Sequence, residues 1–154
     1  MTAGRLYFAQ HAIAMSKTEN SERPLSETGI QQTLSVARQL QAAGLSISQI
    51  FHSGKLRAEQ TASIFATTFN ITSVSAIDYL SPNDDVNLLT ANLNTDNALY
   101  VGHLPHLEKL VSFLVTGSTA ASIITFQNSA TVCLEKINNK YSVQWYLTPT
   151  LTTK

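Results

Sequence analysis

The chain has 154 residues, enough for one domain that buries its own core, and its single cysteine, Cys133, excludes an internal disulfide framework or a multi-cysteine zinc site. Ten basic residues balance ten acidic ones, which argues against a broad footprint for nucleic acid or an anionic membrane while leaving room for a small anion pocket. With no apolar run near the roughly 20 residues that span a bilayer and no basic-then-apolar leader after Met1, the expectation is a cytoplasmic protein.

In chain order, Leu6–Ala9 reads as a short buried strand. A polar loop over 16–24 leads to a helix from about Ser26, where Ile30, Leu34, Ala37 and Leu40 share a face and Gly44 is the stop. Ile47–His52 is a second strand, closing on Ser53-Gly54. Beyond that turn Leu56, Ile64, Phe65 and Phe69 have helical spacing. Ser73–Ile77 reads as a third strand, followed by a turn-rich stretch and a short helix near Asn87–Leu93. Ala98–Val101 is a fourth apolar run, stopped by Gly102-His103. Leu107, Leu110, Val111 and Leu114 then mark the strongest helical pattern, ended by Gly117. Ile123–Phe126, Thr131–Glu135 and Ser142–Leu147 read as strands, with Asn138-Asn139 as a hairpin turn. This order predicts one α/β domain over residues 1–147. Its architecture is a layered sandwich with a mostly parallel central sheet, one antiparallel strand, and helices on both faces. Residues 148–154 read as a frayed Thr-rich tail.

Open α/β sheets bind ligands beyond the carboxyl ends of their strands. Three strand ends here carry suitable residues: Gln10-His11, His52-Ser53-Gly54 with Arg57 one turn later, and Gly102-His103 with Pro105 opening a helix. If these strands are neighbours, His11, Arg57 and His103 meet in one crevice suited to a tetrahedral oxyanion. Each also has a plainer reading: a partly buried imidazole at 11, a solvated helix residue at 57, a cap at 103. Arg23 divides evenly between a loop salt bridge to Glu19 or Glu22 and the anion site. Ser53 reads as a cap ahead of a phosphate donor, and Cys133 and Trp145 as packing. His103 and His106 have His-x-x-His spacing but no clear third ligand besides His11, so no metal or cofactor is expected.

Four segments carry a resemblance. Gln10-His11-Ala12 is similar to an Arg-His-Gly signature, and Arg23-Pro24-Leu25-Ser26-Glu27-Thr28-Gly29 to an Arg-Pro-Leu-Thr/Ser-x-x-Gly segment. Ser53-Gly54-Lys55-Leu56-Arg57-Ala58-Glu59-Gln60-Thr61-Ala62 is similar to a Ser-Pro-x-x-Arg-Ala-x-Gln-Thr-Ala block, and Gly102-His103-Leu104-Pro105 to a Ser/Gly-His-x-Pro element. In this order, from Leu6 to about Leu147, they resemble the histidine phosphatase (phosphoglycerate mutase-like) superfamily. The short chain and Leu80-Ser81-Pro82 resemble its SixA-type phosphohistidine phosphatases. The resemblance implies that His11 takes up a phosphoryl group that water then removes, while Arg57 and His103 hold the equatorial oxygens. It places Gln10 and Arg23 at the phosphate as well. The implied partner is a phosphohistidine-bearing phosphotransfer or signalling protein, or a small phosphate compound. No persuasive general acid stands out, since Asp84 and Asp85 also read as turn residues; a leaving imidazole departs more easily than an alkoxide.

Three positions depart from the pattern. Gln10 stands where the family has arginine, Ala12 where it has glycine, and Gly54 where it has proline. Glutamine donates a hydrogen bond without a charge or a bidentate fork, and losing a charged donor costs about 1.5–3 kcal/mol. The alternative function is therefore a catalytically impaired module that binds phosphate or phosphohistidine. Arg23 is the candidate to restore the charge. Ala12 adds a methyl where backbone approaches phosphate, and Gly54 is expected only to loosen a turn.

Overall fold

The computed structural model describes residues 4–152. Its elements are β1 (Arg5–Gln10), α1 (Glu27–Ala42), β2 (Gln49–His52), α2 (Leu56–Phe69), β3 (Val74–Ala76), α3 (Val86–Thr90), β4 (Ala98–Gly102), α4 (His106–Thr116), β5 (Thr131–Ile137), β6 (Lys140–Leu147) and α5 (Pro149–Thr152). The six strands form one sheet in the order β3-β2-β4-β1-β5-β6. β3, β2, β4 and β1 run parallel, and β5 is the one antiparallel strand, paired with β1 on one side and β6 on the other.

Alternation along β1 sends Leu6 and Phe8 to one face and Tyr7 and Ala9 to the other. Tyr7, Ala9, Ile50, Leu99 and Val101 meet Val36, Ala37 and Leu40 of α1 and Ala58, Ala62 and Phe65 of α2. Leu6, Phe8, Ala98 and Tyr100 meet Val86 and Leu89 of α3 and Leu107, Leu110 and Val111 of α4. Every residue of β4 is buried, as expected of a parallel strand covered on both sides. The hairpin between β5 and β6 turns through Asn138 (φ 52) and Asn139 (φ 68), the left-handed pair that a tight hairpin needs. Among the described residues, no helix is long and apolar enough to cross a membrane.

Three details differ from expectation. Residues 123–126 form no strand. Both sides of β1 are already taken by β4 and β5, and side chains satisfy this segment's backbone instead. Phe126 N donates to Glu108 Oε2 at 3.0 Å, and Thr125 O accepts from the Tyr146 hydroxyl at 2.9 Å. The buried face of α1 comprises Gly29, Thr33, Val36, Ala37 and Leu40, leaving Ile30 and Leu34 only half-buried. Finally, residues 149–152 are a helical turn, α5, packed near α1, with Thr148 and Pro149 buried rather than frayed.

Candidate active site

β2, β4 and β1 lie side by side, so the loops leaving their carboxyl ends open on one edge of the sheet. His11, Ser53 and His103 stand at those three exits. The backbone at His11 is clamped from three directions. Its N–H donates to Gly102 O at 3.0 Å, and its carbonyl accepts from Asn128 Nδ2 at 2.9 Å. The next N–H, of Ala12, donates to Thr61 Oγ1 at 2.9 Å, and that hydroxyl donates in turn to Arg57 O at 2.7 Å.

The imidazole of His11 is held as tightly. Its Nδ1 lies 2.8 Å from the carbonyl oxygen of Ala12. A carbonyl only accepts, so the proton resides on Nδ1 and Nε2 keeps its lone pair. Burial, helped by the Arg57 and Arg23 charges and opposed by the Ala12 hydrogen bond, brings the His11 pKa down to about 4.

His103 faces it, with ring centroids 4.9 Å apart and planes tilted by 50°. Its Nε2 pairs with Ser53 Oγ at 2.6 Å, and its buried Nδ1 has no partner. Burial first, then His11, Arg57, Lys55 and His106, hold its pKa down at about 3. Both rings are neutral near pH 7.

Arg57 sits in the first turn of α2, its buried Nε unpartnered. Arg23 occupies a left-handed backbone (φ 53), uncommon for a non-glycine residue and typical of strain kept at functional sites. Its Nε donates to Met15 O at 3.1 Å. The charges of both arginines act on His11, and Arg23 also presses on Arg57. The alternative salt bridge from Arg23 to Glu19 or Glu22 does not form: among the described residues the one ion pair joins Arg5 to Glu135, at the opposite end of β1. Two cations whose charges reach the same imidazole, beside a second neutral ring, have the chemistry to accept an anion.

Gln10, 8% exposed, completes the strand end, with its Oε1 buried and unpaired. Asp84 and Asp85 serve as turn and cap residues: Asp84 Oδ2 accepts from Ser81 N and Asp85 Oδ1 from Asn87 N, each at 2.9 Å. Among the described residues, no three His, Cys, Asp or Glu side chains gather as a metal site.

Residues 7–81 match the model of the histidine phosphatase superfamily (branch 1). The chain is also 29% identical over 153 residues to phosphohistidine phosphatase SixA of Escherichia coli (strain K12), covering 94% of each. The chain is similar in sequence to the histidine phosphatase superfamily. It is 32% identical over 123 residues to an uncharacterized protein of Picosynechococcus sp., covering 74% of each. Its fold matches a structure of the protein histidine phosphatase SixA complexed with tungstate, with a TM-score of 0.84 at 24% identity over 96% of this chain and 98% of that one.

Contacts within the chain show why the residues of these motifs sit together. Gln60 Oε1 accepts from Leu25 N at 2.8 Å, tying the Arg23 segment to α2. Thr61 holds Ala12, while Ala58 and Ala62 are fully buried and let α2 lie close to the sheet. Ser26 caps α1 by accepting from Gly29 N at 3.0 Å, and its hydroxyl donates to Ile13 O at 3.1 Å. At Gly29 a Cβ would stand 2.2 Å from Ile13 O, so only glycine admits the chain leaving His11.

The departures from the family pattern also acquire a physical reading. Ala12 is fully buried without a positive φ, so no torsion there demands glycine. Gly54 does more than loosen a turn: at φ 89 it occupies a conformation closed to proline, and its N–H donates to Nδ1 of the buried His52 at 3.0 Å. Asn128 escaped the sequence reading because it contacts His11 from 117 positions away. Thr61 was legible only as part of its motif.

Proposed function

We propose that this protein is a phosphohistidine phosphatase of the SixA type, acting through a phospho-His11 intermediate. The observation that carries this reading is the 2.8 Å hydrogen bond from His11 Nδ1 to Ala12 O, which leaves Nε2 as a fixed, unprotonated nucleophile. Nε2 attacks phosphorus, the bond from phosphorus to the substrate nitrogen breaks, and the departing imidazole takes a proton from solvent. Water then attacks phospho-His11, releasing phosphate and restoring the free ring.

Arg57, Arg23 and His103 hold the equatorial oxygens as charge spreads over them, and Gln10 adds a neutral contact. An arriving phosphoryl anion offsets the burial and repulsion that keep His103 neutral, favouring a donated N–H toward the phosphoryl oxygens. The absence of an acid role for Asp84 and Asp85, both engaged in local turns, suits an imidazole leaving group better than an alkoxide. The substrate is then a phosphohistidine on a cytoplasmic phosphotransfer or signalling protein, with small, readily cleaved phosphate compounds as lesser substrates.

A second reading has its own observation. Gln10 contributes no charge where relatives carry arginine, which favours a module that binds phosphohistidine without turning it over. Hydrolysis of acetyl phosphate and of a phosphorylated histidine-phosphotransfer domain separates the two. The phosphatase reading requires turnover by the natural chain and its loss in His11→Ala. Turnover that arises only in Gln10→Arg establishes the binding module.

A further inference from the structure

Gln10 stands at the last residue of β1, in register with Gly102 and beside the exits that carry His11 and His103. Its amide oxygen is buried and receives no hydrogen bond. Burying an acceptor without a donor is unfavourable, and such atoms in native proteins call for a partner. On the reading of the neighbouring crevice as a phosphate site, Arg23, Arg57 and His103 supply its donors. A fully ionised phosphoryl group offers only acceptor oxygens and would set one of them against the Gln10 oxygen. A phosphoryl group that keeps one proton carries a P–O–H donor.

We propose that Gln10 Oε1 accepts a hydrogen bond from that P–O–H, so that the pocket selects the singly protonated monoanion of a phosphoryl compound over its dianion and over sulfate. This rests on the reading of the crevice as a phosphate site. It also gives the loss of the arginine charge a positive role: an arginine here would donate and favour the dianion, whereas glutamine accepts and reads the proton.

The protein's own groups change little between pH 6 and pH 8. His11 is neutral above about 4 and His103 above about 3. The charges reaching these rings come from Arg23, Arg57 and Lys55, and His106 faces His103 with its own pKa pushed down by burial. Asp84 and Lys109 act on His106 from the rim loop and α4. Phosphate loses its second proton within this window, while sulfate carries none across it.

Calorimetric titration of phosphate and of sulfate, at pH 6 and pH 8, tests the proposal on the natural chain, Gln10→Arg and Gln10→Leu. The natural chain is expected to bind phosphate several-fold more tightly at pH 6 than at pH 8, with sulfate weaker and unresponsive to pH. Gln10→Arg should prefer phosphate at pH 8 and accept sulfate, and Gln10→Leu should lose the discrimination. Phosphate affinity that is level or rises toward pH 8 overturns the proposal. So does sulfate affinity that climbs in parallel toward pH 6, because the proton then belongs to the site and not to the ligand. Phosphate binding without this preference removes the proposal alone; no phosphate binding at either pH removes the phosphate site with it.

Discussion

Ser53 Oγ lies 2.6 Å from Nε2 of His103, linking the β2 and β4 exits, and the same oxygen accepts from Lys55 N at 3.3 Å. Ser53 thus fixes the His103 ring while it supports the start of α2. Ser53→Ala removes the one side-chain hydrogen bond that ring makes among the described residues. A neutral hydrogen bond contributes about 1 kcal/mol, so kcat/KM on acetyl phosphate should fall by up to roughly tenfold, and Ser53→Thr should restore most of it. An unchanged kcat/KM in Ser53→Ala would show that His103 is positioned by packing alone.

The neutral histidines make stability depend on pH with a definite sign. His11 and His103 have folded pKa values near 4 and 3 against an ordinary 6.5, so the unfolded chain binds more protons. Their contribution to stability is complete above pH 6.5 and is lost as pH falls through the folded values. Each unit of depression corresponds to about 1.4 kcal/mol. Urea unfolding at pH 7, 5 and 4 should show declining stability, and His11→Gln should flatten part of the slope. A slope identical in the variant would remove His11 from this linkage.

On the proposed mechanism, activity should have an acidic limb of the same origin. Nε2 of His11 loses its lone pair as pH drops below about 4. Gln10→Arg adds a cation that further disfavours the imidazolium, so activity should extend to lower pH. A pH–rate profile with the same acidic limb in both chains would contradict this.

Gly29 is a test of close packing. An alanine methyl there would meet the Ile13 carbonyl oxygen at 2.2 Å and the Ile13 nitrogen at 3.0 Å, both backbone atoms. Gly29→Ala should cost about 3 kcal/mol, the upper part of the range for overpacking, read as a lowered urea midpoint. Stability equal to that of the natural chain would mean that α1 moves freely from the loop after His11.

Gly54→Pro would return a residue the family carries. In this chain φ is 89 and the N–H is bonded to His52 Nδ1. Proline permits neither, so the variant should lose more than ~1 kcal/mol of stability, with a lowered Tm. An unchanged Tm would show that the turn can adopt the proline form without loss.

The parts of the fold legible in the sequence are those fixed by short-range chemistry. β4 shows as an unbroken apolar run because both its faces are covered, and Asn138-Asn139 marks a hairpin because asparagine tolerates positive φ. The buried face of α1 departs from its apolar spacing because Gly29 lies against the Ile13 backbone and Thr33 meets Ser129 Oγ at 2.8 Å, which turns the larger Ile30 and Leu34 partly outward. Apolar residues over 123–126 suggested a strand, but no free strand edge was available beside β1. In the crevice, His11, Arg57 and His103 were visible as strand-end and first-turn residues. Asn128, the left-handed Arg23 and the unpaired oxygen of Gln10 depend on contacts between distant segments, which spacing does not reveal.

On the proposed function, the free Nε2 of His11 accepts a phosphoryl group. Rapid quenching of the natural chain with labelled phosphohistidine-phosphotransfer domain, followed by peptide mapping, addresses it directly. An acid-labile, alkali-stable phosphoryl label on His11, formed and lost at rates consistent with turnover and absent from His11→Ala, is the predicted result. Turnover with no label on residue 11, or a full rate in His11→Ala, would contradict it.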